Sequence, residues 1–186
     1  YNFRIGYILN SGWDLSFGID HMKYVVEQNQ ETLINGFIND NNIYDGFYTN
    51  QAIAINEDFL KFEHTDGLNY ANIELRYSFN ILEMNKIAIN IVQGFGAGLM
   101  VPRTNTTLLG KESYDEFHLS GYGSGLIAGI NFTFFNHFFI QSELKGGYIN
   151  LPNVRTTEFK SDKASHQFFF SQFNILFGGY IHLKKK

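Results

Sequence analysis

Cysteine is absent from this chain of 186 residues, proline occurs only twice, and long apolar runs are missing. The lack of cysteine excludes disulfide bonds, thiol chemistry and zinc sites with cysteine ligands. A membrane-spanning helix needs about 18 apolar residues in succession, and no run approaches that length. An excess of positive charge is missing too, because the formal net charge is −4. This balance argues against nucleic acid as a partner, since such proteins carry a basic surface.

Aromatic residues and glycine are abundant instead. Aromatics make up 17% of the chain and glycines number 18. The mean hydropathy is only −0.17 although 44% of the residues are hydrophobic, so apolar and polar residues are finely mixed. This composition is typical of a strand-rich protein. The length fits a single domain that spans residues 1–186.

Alternation of apolar and polar residues with period two is the dominant pattern. In one segment, Ile73, Leu75 and Tyr77 alternate with Glu74 and Arg76. The same alternation recurs in segments 2–10, 13–20, 70–81, 87–99, 121–134, 138–148 and 169–183. We therefore predict an all-β fold in which these seven segments form antiparallel strands.

The predicted connections alternate between short and long. The short ones are 11–12, 83–85 and 135–137, and the long ones are 29–66, 102–115 and 151–164. This asymmetry is typical of transmembrane β-barrels, which have short periplasmic turns and long extracellular loops. Within the 29–66 loop, apolar segments at 52–55 and 59–62 predict a hairpin or lid.

The order of turns also predicts the number of strands. If the short turns are periplasmic, the first strand descends and the last strand ends in the periplasm. Single-chain bacterial barrels have an even number of strands. We therefore predict an eight-stranded barrel, of which this sequence supplies seven strands and an eighth, ascending strand precedes Tyr1.

The polar faces of the strands predict a filled interior. Three positive and three negative side chains lie at similar height above the short turns: Arg4, Asp20, Glu74, Arg76, Glu143 and Lys145. An unpaired buried charge costs several kcal/mol, so a narrow barrel requires such matching. An interior of about eight strands is filled by side chains. Glycines at alternate positions in 94–98 and 121–125 are predicted to make room for the long side chains.

The apolar faces end in aromatic residues at both levels, as membrane interfaces favour. Trp13 and Phe138 lie near the short turns, and Tyr122, Tyr148 and Phe169 lie near the long loops. Together these features resemble the small outer-membrane barrels of the OmpA-transmembrane, OmpX and OmpW type. The resemblance is architectural and covers nearly the whole chain. It implies a place in the bacterial outer membrane, with outer-membrane lipid, lipopolysaccharide and other envelope proteins as partners.

Two groups of residues suggest chemistry. Glu116, His118 and Ser120 share one strand face near the long loops, and a serine nucleophile needs a base held by a third group. Some small barrels modify lipid A with such a His-x-Ser pair and a carboxylate. Separately, the oxygen-rich loop around Asp40, Asn42 and Asp45 is a candidate calcium site. Both groups depart from complete motifs: the first lacks a convincing third member, and the second lacks a closing glutamate.

The leading hypothesis is a non-enzymatic barrel without a cofactor. Its lumen is plugged and charge-compensated, and the protein acts as an anchor or scaffold, or as a subunit of an envelope complex. One alternative is a narrow channel or transporter for a small or hydrophobic solute. The other is a hydrolase or acyltransferase that modifies lipid A.

Overall fold

The computed structural model describes residues 2–10, 12–64, 66–112, 116–157 and 159–182. Within these ranges the chain forms twelve β-strands and no helix. No helix in the described part is therefore long and apolar enough to cross a membrane. The strands are β1 (Asn2–Asn10), β2 (Trp13–Met22), β3 (Glu31–Ile38), β4 (Gly46–Ala54), β5 (Leu60–His64), β6 (Leu68–Met84), β7 (Ile87–Met100), β8 (Thr104–Leu108), β9 (Lys111–Glu112), β10 (Gly121–Phe134), β11 (Phe138–Arg155) and β12 (Lys163–Gly179).

Seven of these strands form one large antiparallel sheet. Their order is β1-β2-β6-β7-β10-β11-β12, so each strand pairs with the next one of the set along the chain. These are the seven strands that the period-two alternation predicts, and the all-β antiparallel prediction is confirmed. β3 and β4 form a separate hairpin, and β5, β8 and β9 form a small third sheet.

The tight turns require unusual backbone conformations. Gly12 has a φ of 89°, and a Cβ at this position would lie 2.4 Å from the Ser78 carbonyl oxygen. At the turn after β10, Phe135 and Asn136 adopt φ values of 55° and 59°. Glycine has no steric penalty at positive φ, and asparagine tolerates it better than most residues. Gly12 and Asn136 therefore favour these turns locally, whereas Phe135 adopts a positive φ that its own residue type does not favour.

The long connections contain more strand than the alternation predicts. The 29–66 segment holds β3, β4 and β5, and β8 and β9 form inside the predicted 102–115 loop. The hairpin predicted from segments 52–55 and 59–62 is wrong in its pairing, because β4 pairs with β3 and β5 pairs with β8. The predicted 151–164 loop is wrong in extent, because β11 continues to Arg155 and β12 begins at Lys163. A register shift between Leu151 and Val154, around Pro152, breaks the period of two and hides this extension. Proline within sheets is found at such bulges.

The two faces of the large sheet are inverted relative to a water-soluble protein. On the outer face, Leu75 and Ile130 are each 41% exposed, and Ile89 is half-buried. On the inner face, Glu74 is fully buried and Lys145 is 1% exposed. The predicted orientation of the strand faces therefore agrees with the described residues.

The large sheet curls, because inner side chains from distant strands meet. Lys145 on β11 contacts Asp20 on β2 and Glu74 on β6. No backbone pairing joins the edge strands β1 and β12 in the described residues. Their side chains nevertheless meet, since Asn2 Nδ2 donates to Asn174 Oδ1 at 3.1 Å. Both edge strands run from the long-loop end to the short-turn end, because six antiparallel pairings separate them.

Candidate functional site

The six predicted inner charges form one connected network. Glu74 lies at its centre and contacts all three cations, at 2.9 Å from Arg4, 2.5 Å from Arg76 and 2.6 Å from Lys145. Asp20 pairs with Arg4 and Lys145, and Glu143 pairs with Arg76 at 3.0 Å. The structure thus brings together every residue of the predicted set. The network links β11 to β1, β2 and β6, with which β11 has no backbone pairing in the described residues, through side chains.

Neutral groups complete the hydrogen bonding of the carboxylates. Asn72 Nδ2 donates to Asp20 at 3.0 Å, and Gln141 Nε2 donates to Glu143 at 2.8 Å. Asn174 Nδ2 donates to the other oxygen of Glu143 at 3.3 Å. A buried ion network is tolerated only when its remaining hydrogen-bonding groups are satisfied. One acidic residue is absent from the predicted set: Asp14 also occupies an inner position of β2, where it is half-buried.

Above the charges, on the long-loop side, the interior is apolar. Tyr70, Met100, Ile149 and Leu151 are fully buried there, and Leu68 is 1% exposed. The Tyr70 hydroxyl donates to the Gly123 carbonyl at 3.0 Å, and Lys145 Nζ lies 5.1 Å from the centre of the Tyr70 ring. This apolar plug is not among the features that the sequence predicts. The sequence nevertheless contains this information, because Leu68 and Tyr70 occupy even-numbered positions of β6, as Glu74 does, and so lie on the same face.

The glycines of β7 and β10 make room for these inner side chains. A Cβ on Gly96 would lie 2.7 Å from Glu74 Cγ, and one on Gly94 would lie 3.0 Å from Arg76 Cγ. A Cβ on Gly123 would crowd Ile149 at 3.1 Å. The glycines therefore make room for the inner side chains, as predicted from their alternation.

The structure brings His118 and Ser120 into contact near the long loops. Ser120 Oγ lies 2.8 Å from His118 Nε2, which is the separation that a serine nucleophile and its base require. The same Nε2 also lies 2.9 Å from the Asn153 carbonyl oxygen and 3.3 Å from the Arg155 amide. Ser120 is only 1% exposed.

The carboxylate of Glu116 is directed elsewhere. Its Oε2 accepts a hydrogen bond from Arg155 Nη1 at 2.9 Å. The backbone carbonyl of Glu116, rather than its carboxylate, lies 3.4 Å from His118 Nδ1. Glu143 lies in the ion network, as its phase predicts. The described contacts thus supply a serine–histidine pair whose orienting acid is replaced by a weak backbone contact.

The predicted calcium ligands are engaged in closing their own turn. Asp45 accepts hydrogen bonds from the amides of Asp40 at 2.8 Å and Asn41 at 3.0 Å. These bonds, that from Asp40 first, lower the pKa of the Asp45 carboxyl. Asn42 Oδ1 accepts from the Tyr44 amide at 2.7 Å, and Lys111 contacts the Asp40 carboxylate. No group of three acidic or histidine side chains in the described residues is arranged to hold a metal ion.

Comparison with known proteins finds no matching family model, no similar curated protein and no similar solved structure.

Proposed function

We propose that this chain is an integral β-barrel of a bacterial outer membrane that acts as a non-enzymatic anchor, scaffold or subunit of an envelope complex. The observation that carries the proposal is the inverted sheet, in which the charges are buried and the apolar side chains are exposed. Large exposed apolar patches mark interaction or membrane surfaces. The outer face offers a belt rather than a patch: Phe3, Ile5, Phe17, Ile73, Phe95, Leu126, Leu144, Phe173 and Phe177 are all between 49% and 76% exposed.

The dimensions of the sheet fit a bilayer. A transmembrane β-strand needs about 9–11 residues. The shortest strand of the large sheet, β1, has 9 residues, and β12 has 17. The spanning part extends from the short turns to the level of Tyr122, Tyr148 and Phe169, where aromatic rings suit the lipid interface. The strand ends beyond that level, together with the two smaller sheets, form the extracellular part.

An eighth strand between β1 and β12 completes the barrel in this proposal. The two edge strands point the same way, so a strand between them is antiparallel to both. Two asparagine side chains and the hydrogen bond between them reach roughly 10 Å, which is about twice the spacing of paired strands. The Asn2–Asn174 contact therefore fits a gap that is one strand wide. Closure matters because hydrocarbon offers no partners to an open sheet edge.

Membrane insertion is testable with the purified full chain. The chain is refolded in detergent, mixed with phospholipid vesicles and centrifuged through a density gradient after an alkaline carbonate wash. We expect it to float with the vesicles and to resist the wash, because the apolar belt is buried in hydrocarbon. Recovery as a water-soluble monomer at the bottom of the gradient would contradict the proposal.

The plugged interior favours a scaffold over a channel. The ion network and the apolar plug of Tyr70, Met100, Ile149 and Leu151 are stacked along the interior, and all these side chains are buried except that of Arg4, which is 17% exposed. We expect no steady conductance from the refolded chain in planar bilayers. A stable ohmic current in repeated insertions would favour the transport alternative instead.

A second candidate function rests on the 2.8 Å contact between Ser120 and His118. In this alternative the chain hydrolyses or transfers an acyl ester of lipid A. Ser120 Oγ attacks the acyl carbonyl while His118 Nε2 takes its proton, the sugar alcohol leaves with that proton, and water or an acceptor alcohol releases the acyl group. The burial of Ser120 and the engagement of Glu116 with Arg155 make this the second choice.

Mass spectrometry of lipid A separates the two functions. The lipid is extracted from cells that produce the native chain, the Ser120→Ala variant or the control Ser142→Ala variant. Loss of an acyl chain with the native and control chains, but not with Ser120→Ala, would establish the enzyme. Identical profiles from all three strains and from cells without the chain would leave the scaffold function.

A further inference from the structure

A partly buried cluster of aromatic and imidazole rings joins the small sheet to the end of the large sheet. Its members are Tyr24, Phe62, His64, His166 and Phe168. His64 lies on β5 of the small sheet and His166 lies on β12 of the large one. Their ring centres are 6.0 Å apart, and the Tyr24 ring lies 4.8 Å from that of His166. This cluster, together with the backbone bond from the His64 amide to the Tyr24 carbonyl, attaches the two sheets.

Both imidazoles have a buried nitrogen without a partner. His64 is 2% exposed, and its Nδ1 lies 3.1 Å from the Thr104 hydroxyl. The Nε2 atoms of His64 and His166 are buried and make no hydrogen bond in the described residues. A neutral imidazole leaves such a nitrogen as an unprotonated acceptor at modest cost. A protonated one must bury an N–H donor and a full charge, which is far more costly.

Among the described residues, no negative charge acts on His64 to stabilise an imidazolium. The groups whose charge acts on His64 are His166 from β12 and His118 from the segment before β10. β8 contributes the neutral Thr104 and Thr106, and Tyr24 contributes a phenol whose pKa is raised by burial. The charged residues of β5, Lys61 and Glu63, occupy the alternate positions of the strand and point to its other face. Every titratable imidazole near His64 therefore adds repulsion when it gains a proton.

We propose that His64 and His166 form an acid-operated latch, which holds the small sheet against the end of the large sheet at neutral pH and releases it on acidification. Two imidazolium groups 6.0 Å apart, without a counter-charge, repel each other and draw water into the ring cluster. Burial, with smaller contributions from His166 and His118, lowers the pKa of His64 to about 4, so the latch stays closed at neutral pH. Release uncovers Phe62 and the adjoining apolar plug. This inference goes beyond the scaffold function and holds whether or not the chain spans a membrane.

Amide hydrogen exchange reads the latch directly. The His64 and Val26 amides donate to the Tyr24 and Phe62 carbonyls, at 3.0 and 2.9 Å, across the junction. The full chain, refolded in detergent micelles, is compared at pH 7 and pH 4.5 after correction for intrinsic exchange rates. We expect protection of residues 24–26 and 60–64 to fall at least tenfold in acid. β10 is the internal control, and its protection should not change.

The matched variant replaces both histidines by phenylalanine, whose ring does not titrate. The described residues give His166 ring contacts but no hydrogen bond, so His166→Phe should keep the packing, and His64→Phe loses only the contact with Thr104. We expect the double variant to keep its protection at pH 4.5, and His166→Phe alone to show an intermediate loss. Unchanged protection in the native chain, or an equal acid loss in the double variant, would overturn the latch.

Discussion

At the scale of single residues, the stability of the molecule depends on buried charges that are paired with one another. Glu74 contacts three cations, whereas Glu143 contacts one cation and two amides. Removing one member of a buried pair leaves its partner desolvated and uncompensated, which costs more than the pair contributes. Individual charges should therefore be much more sensitive to substitution than surface charges are.

Glu143→Ala tests this dependence. The change removes one of the two carboxylates that Arg76 contacts. It also leaves the side-chain amides of Gln141 and Asn174 without the carboxylate that accepts their hydrogen bonds. We expect the free energy of unfolding to fall by about 3–5 kcal/mol. Urea titrations of the refolded chain in lipid or detergent measure it, and Glu112→Ala on the exposed β9 is the control. An effect no larger than that of the control would mean that the network is not closed.

Leu75→Arg tests the opposite face. Leu75 lies on the outer face midway along β6, and the proposed location places it near the centre of the bilayer. An arginine facing lipid there should lower the free energy of unfolding by roughly 2–4 kcal/mol. Leu33→Arg is the control, because Leu33 is an exposed leucine on the separate β3–β4 hairpin. Equal effects of the two changes in vesicles would speak against the membrane assignment.

At the scale of elements, the short turns and the long connections have different roles. The turns hold neighbouring strands in register, and the β3–β4 hairpin pairs with no other strand in the part of the chain that the structure describes. Gly12 and Gly110 both have positive φ, but only Gly12 is crowded by backbone, whereas a Cβ on Gly110 would meet nothing within 4 Å. A comparison of the two glycines therefore separates the cost of a positive φ from the cost of a steric clash at Cβ.

Substitution of these glycines by alanine should give unequal losses. We expect Gly110→Ala to cost about 1 kcal/mol, which is typical of left-handed backbone without glycine. Gly12→Ala should cost clearly more, because its Cβ would meet the Ser78 carbonyl oxygen at 2.4 Å. Thermal unfolding of both variants against the native chain provides the comparison. Indistinguishable midpoints would show that the turn relaxes freely.

At the scale of the whole molecule, the interior is layered along its length. Amides lie toward the short turns, the ion network lies in the middle, and the apolar plug and the ring cluster lie toward the long loops. The ring cluster makes the stability of the whole molecule depend on pH, because His64 is buried there in its neutral form. The folded pKa of His64 is about 4, below its unfolded value of about 6.5.

The direction of this pH dependence follows from proton uptake at His64 in the unfolded chain. Between pH 6.5 and pH 4 the unfolded chain binds a proton at His64 that the folded chain does not, so acid destabilises the fold. By pH 4 the loss from this residue should be about 3 kcal/mol, because each tenfold difference in proton affinity between the two states corresponds to about 1.4 kcal/mol. Urea titrations at pH 7 and pH 4 measure it as the difference between the native chain and His64→Phe. A difference that does not change with pH would contradict the burial of a neutral His64.

Local sequence alone determined the seven strands, their faces and the short turns at 11–12 and 135–137, because a strand repeats every two residues and a turn is encoded by a few backbone angles. The third short turn lies at 85–86 rather than at the predicted 83–85, because β6 continues to Met84 past a register shift between Asn80 and Leu82. Local sequence also determined the membership of the ion network, because Arg4, Glu74 and Lys145 share the inward parity. Tertiary structure decided the features that the alternation within one strand cannot specify. β11 continues to Arg155 past the bulge at Leu151–Val154, curling of the sheet sets which charges meet, and packing between sheets brings His64 to His166. These features depend on contacts between residues far apart in the chain, and alternation within a strand carries no information about them.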